Sequence, residues 1–104
     1  MDFSIIYVTC RDPSEAESIG RTLVEKRLAA YANIIPKTTA LYRWKGKLHE
    51  ESEAILLVKT RAGLADKVIR AAKSLHSYSN PCILSLPIRD GSKEYLDWVE
   101  RETG

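Results

Sequence analysis

Three observations predict an α+β domain of ferredoxin-like βαββαβ order, closed by a C-terminal helix, in this 104-residue chain. Segments with strand and helix periodicity alternate in that order. The second and third strands flank Lys45-Gly46-Lys47, a turn signal that makes them a long hairpin. Proline falls only in the second and fourth strands, at Pro36 and Pro87, among the segments that read as strands. Proline cannot donate to a ladder, so these two strands belong at the edges or at bulges.

FSIIYVT, residues 3–9, is β-branched, aromatic and nearly apolar on both faces, as a central strand should be. In RDPSEAESIG, Asp12 is a natural N-cap and Pro13 suits the first helical position. Glu15 follows three residues after Asp12, as in a capping box. Ala16, Ile19 and Leu23 recur at helical spacing, so the first helix should span residues 13–27. ANIIPKTTALYRW (32–44) and EAILLVKT (53–60) are the hairpin arms, separated by KGKLHEES. AGLADKVIRAAKSL (62–75) predicts a second helix with Leu64, Val68, Ile69, Ala72 and Leu75 on one face. CILSLPI (82–88) is the fourth strand. DGSKEYLDWVERET holds a short third helix, capped by Ser92, with Tyr95 and Trp98 or Val99 turned inward. The most apolar strands, the first and third, take the centre, which gives the antiparallel order 4-1-3-2. Two helices cover one face. The other apolar face requires the third helix or further copies of the chain.

Composition narrows the function. With 44% hydrophobic and 29% charged residues, the chain reads as one folded soluble domain spanning 1–104. The net charge of +2 comes from interleaved acids and bases, a solvated surface rather than a nucleic-acid footprint. EAILLVKT also lacks the aromatics that stack bases. No apolar run approaches the ~20 residues that span a bilayer. MDFSIIYVT carries no leader pattern, so a cytoplasmic location is expected, with neither membrane nor nucleic acid as partner. No nucleophile–base–orienter set and no paired carboxylates are visible, which argues against an enzyme.

The predicted topology gathers Cys10, Arg11, Asp12, His76, Tyr78 and Cys82 at one end of the sheet. SLHSYSNPC, residues 74–82, is the segment of interest there. Two thiols and an imidazole suit Cu(I) or Zn²⁺, so His76, Cys82 and Cys10 are the candidate metal ligands. The alternative is structural: a histidine bonded to backbone, and cysteines buried as small hydrophobes on opposite faces of the sheet. His49, in LHEESE, reads as part of a solvated loop. Tyr42 and Trp44 share a face of the hairpin and are suited to packing on another subunit.

The chain resembles the CutA, or divalent-cation-tolerance, family over nearly its full length. The resemblance lies in VTCRDPSEAESIGRTLVEKRLAAYANIIP, LYRWKGKLHEESEAILLVKT, LHSYSNPCILSLPI and EYLDWVERET, in that order. It implies a ferredoxin-like subunit in a homotrimer, with sheets packed around a three-fold axis and an architecture similar to PII-type signalling proteins. It also implies tolerance to divalent metals, copper binding in some members, no obligatory cofactor and no catalysis. His76 carries over from the family pattern, whereas Cys10 and Cys82 enter through topology. Tyr31 stands where many members have cysteine, and Ser79 where many have glutamate. Two other readings stay open: a PII-like sensor of a small anion or nucleotide using Arg11, Lys45 or Lys47, and a non-catalytic trimeric scaffold.

Overall fold

The computed structural model describes all residues 1–104. The elements run β1 (Phe3–Cys10), α1 (Pro13–Glu25), β2 (Tyr31–Trp44), β3 (Lys47–Arg61), a 3₁₀ turn (Ala62–Leu64), α2 (Ala65–Leu75), β4 (Ile83–Ile88) and α3 (Lys93–Glu102). One antiparallel sheet has the order β2-β3-β1-β4, the arrangement expected from the prolines.

Alternation along β1 divides the core. Ile6, Val8 and Cys10 point to the face covered by α1 and α2, where Ala16, Ile19, Leu23, Val68 and Ala72 meet them. Phe3 points the other way and packs with Ala30 and Val99, so α3 covers one end of the second face. At that end Trp98 meets Tyr31 edge-on at 6.2 Å between ring centroids, and Lys59 Nζ sits 4.4 Å from the Tyr31 centroid. The rest of this face lacks cover. Leu84 and Leu86 of β4 are about half exposed, at 55% and 46%.

Several boundaries differ from expectation. The stretch KLHEES is strand, not loop, because the hairpin closes through Lys45 and Gly46 alone. Both residues have positive φ, 51° and 78°, as a two-residue turn matching strand twist demands. β1 ends opposite Ala54, so residues 38–53 form a two-stranded ribbon beyond the sheet. This ribbon accounts for the long axis of a molecule measuring 45 × 25 × 22 Å. α1 stops at Glu25 because Arg27 turns left-handed at φ 60°. Leu75, predicted on the buried face of its helix, is 46% exposed at the helix end. Ser92 occupies the N-cap of α3, but its hydroxyl donates to Glu94 rather than capping a backbone N–H.

Gly20 lies where α1 crosses β3 and β2. A Cβ there would meet Leu56 Cδ1 at 2.9 Å and Ala32 Cβ at 3.2 Å. Gly20→Val should therefore destabilise the fold by about 1–3 kcal/mol through overpacking. A lower denaturation midpoint with unchanged m-value at fixed protein concentration would show it.

Candidate metal centre

Three elements build the site. β1 delivers Cys10 at its last position, α1 delivers Glu15 from its first turn, and the C-terminal end of α2 delivers His76. Asp12 caps α1 by accepting the Glu15 N–H at 2.8 Å. The Glu15 carboxylate does not return to the Asp12 N–H as a capping box would. One oxygen accepts the Arg11 N–H and the other the Ser77 N–H, each at 2.9 Å. Glu15 thus staples the start of α1 to the loop that follows α2.

The His76 side chain is fully buried. Its Nε2 lies 2.7 Å from the Thr9 carbonyl, and its Nδ1 accepts the Tyr78 N–H at 3.1 Å. A carbonyl only accepts, so Nε2 carries the proton and Nδ1 holds the lone pair. Tyr78 leans its ring on the imidazole, 4.7 Å between centroids, and donates its phenol O–H to Glu53 at 2.7 Å.

The ligand atoms of Cys10, Glu15 and His76 all lie within 4.8 Å of one another. Cys10 and His76 are thus brought together as the topology predicts. Cys82 stands apart from this group. Its carbonyl accepts the Thr9 N–H at 3.2 Å, and the β1–β4 register, extended one step, sets it opposite Thr9. Cys82 therefore belongs to the opposite face of the sheet from Cys10, and both thiols are free. Arg11 and Asp12 pair with each other at the exposed rim, 3.2 Å apart.

Sequence reasoning missed Glu15 as a site residue because its capping position already explained it. Its spacing from Cys10, across a single strand-to-helix turn, was the available signal. Glu53 was missed as well, since nothing local links it to Tyr78.

Electrostatics follow from burial. Desolvation, then the charges of Glu15, Glu53 and Asp12, push the Cys10 thiol up to about 12. Burial, the bond to Glu53 and nearby carboxylates raise the Tyr78 phenol as well. Burial pushes Glu15 up, but the Arg11 and Ser77 donors outweigh it, leaving its carboxyl below the ordinary value.

The donor set fits a thiophilic cation. Tetrahedral Zn²⁺ holds thiolate at about 2.3 Å and imidazole nitrogen at about 2.0–2.1 Å, which sets ligand atoms roughly 3–4 Å apart. The Thr9 carbonyl on Nε2–H supplies the backbone orientation that ligating histidines normally have, so Nδ1 is the nitrogen whose lone pair could take a cation.

The family model described as CutA1 divalent ion tolerance protein matches residues 4–102. The chain belongs to this family. It is 43% identical over 100 residues to the divalent-cation tolerance protein CutA of Thermus thermophilus, covering 96% of this chain and 97% of that one. Human protein CutA is 40% identical over 96% of this chain, which spans 56% of the human protein's length. The solved Thermus structure superposes with a TM-score of 0.94 at 42% identity, covering 98% of this chain and 99% of its own. An Archaeoglobus fulgidus relative, described as a periplasmic divalent cation tolerance protein, gives 0.93 at 39% identity, covering 96% and 97%. In this chain, no helix is long and apolar enough to cross a membrane.

Two measurements check the site as described. Glu15 has a lowered folded-state pKa, so its contribution to stability is complete above the unfolded value of about 4.3 and is lost as pH falls through the folded value. Glu15→Gln should cost about 1–3 kcal/mol at neutral pH and flatten that part of the acid limb in denaturation curves. Cys10 should resist iodoacetamide at pH 8 in the native protein and react once the chain is unfolded, as intact mass will report.

Proposed function

We propose that this chain is a non-catalytic, homotrimeric divalent-cation tolerance protein of the cytoplasm that binds copper or a similar thiophilic ion through Cys10, Glu15 and His76. The observation that carries this reading is the convergence of thiol, carboxylate and imidazole within 4.8 Å in a chain of the CutA1 family. The ion is cargo, not a resident cofactor. Binding replaces the Cys10 thiol proton and exchanges the Tyr78 N–H on His76 Nδ1 for the metal.

Assembly is supported by two features. The second sheet face leaves Leu84, Leu86 and Ile35 exposed in one contiguous strand-to-strand surface with Tyr7 and Leu57. The ribbon of residues 38–53 has only itself as a partner, and an isolated two-stranded hairpin is marginal in water. Its stacked Tyr42–His49 pair, 5.3 Å between centroids, and the exposed Trp44 offer a contact surface to a neighbour.

A second reading is favoured by the same cluster. No buried side-chain nitrogen or oxygen lacks a partner, so the group needs no metal to be satisfied, which supports a non-catalytic scaffold in which it is a structural latch.

Anaerobic calorimetry with Cu(I), Cu(II) and Zn²⁺ separates the two. Metal binding predicts one ion per chain, lost in Cys10→Ser and His76→Ala. Because the thiol lies near 12, affinity should rise about tenfold per pH unit across the neutral range. No stoichiometric binding would leave the scaffold. Light scattering should return three times the 11.7 kDa chain mass, falling when Leu84 and Leu86 are both changed to Glu.

A further inference from the structure

We propose that Tyr78 is a plug on the metal-binding nitrogen of His76, and that Glu53 latches it in place from the base of the hairpin ribbon. The inference rests on the metal reading above and concerns how uptake by that site is regulated.

Tyr78 holds the imidazole in two ways. Its N–H occupies the Nδ1 lone pair at 3.1 Å, the only one on the ring free to bind a cation. Its ring covers the imidazole at 4.7 Å, tilted by 50°. A cation cannot reach Nδ1 until the Tyr78 N–H leaves. The segment carrying that N–H is restrained at both ends. Ser77 is bonded through its N–H to Glu15 at 2.9 Å, and Tyr78 through its phenol to Glu53 at 2.7 Å.

The phenol–carboxylate bond is the one restraint that lies outside the donor set. It is an O–H···O⁻ bond, the strong charge-assisted class. Glu53 is itself fixed by the ribbon: its carbonyl accepts the Thr38 hydroxyl at 3.0 Å, where β2 slips register between Ile35 and Thr38. The latch therefore connects the metal-binding nitrogen to the root of the hairpin. A displacement of the hairpin, such as docking of a neighbouring subunit would bring, reaches Nδ1 through Glu53 and Tyr78.

Tyr78→Phe removes the latch while keeping the ring and the N–H. Glu53→Gln keeps an acceptor but removes its charge. Two readouts are needed, both on the full-length protein. Hydrogen exchange of the residue-78 amide in metal-free protein reports the plug directly. Stopped-flow transfer of Zn²⁺ from a chromophoric chelator reports uptake. Tyr78→Phe should speed both by about tenfold with unchanged Zn²⁺ stoichiometry, and Glu53→Gln by a smaller factor of about three. Unchanged exchange in two variants that melt as the parent does would overturn the latch alone. Faster exchange with unchanged uptake, in a parent that binds Zn²⁺, would overturn the gating. Faster exchange with no Zn²⁺ taken up by any of the three proteins would sink the metal reading and the gating with it.

Discussion

Ile6, Val8 and Cys10 face one side of β1, while Phe3, Ile5 and Tyr7 face the other, so this strand has to be covered twice. That demand orders the rest of the molecule. It places β3 and β4 on either side of β1 and sends the proline-bearing strands to the edges. It brings α1 and α2 onto the first face. On the second face, α3 reaches only the end where Phe3 lies, so a chain of this size leaves apolar sheet open to further protein.

The same strand also explains where the chemistry sits. The last residue of β1 on the covered face is Cys10, and the next helix begins three residues later. A helix start brings unpaired N–H groups and a capping acid. Glu15 is therefore buried beside the strand end with a reason to stay ionised. It is bonded to N–H groups before α1 and after α2. The negative charge that results raises the Cys10 thiol on top of the effect of burial. Cys10 in this setting stays a thiol at neutral pH and is a poor nucleophile.

How much of this was legible in the sequence depended on the range of each interaction. Strand order followed from Pro36 and Pro87 because their effect is local to each strand. The α1 start followed from Asp12 and Pro13 for the same reason. The meeting of Cys10 with His76 followed from topology, since both lie at the same end of the sheet. The side of the sheet taken by Cys82 did not follow, because a single-residue slip in the β1–β4 register would reverse it. The partners of Glu15 and Glu53 were invisible. Each carboxylate has a local explanation, a cap for one and a solvated hairpin for the other, and its real partner is 62 residues away for Glu15 and 25 for Tyr78 with Glu53.

Both imidazole nitrogens of His76 are bonded to backbone, and this is consistent with two different roles. The two bonds are not equivalent. The Nε2–H bond to Thr9 fixes the tautomer and survives when Nδ1 changes partner. The Tyr78 bond is the one that a cation at Nδ1 would have to replace. Tyr78 is in turn bonded to Glu53 at the foot of the ribbon, outside the core. On the proposed metal reading, the structural latch and the metal site are two states of one group, and the Tyr78 N–H selects between them.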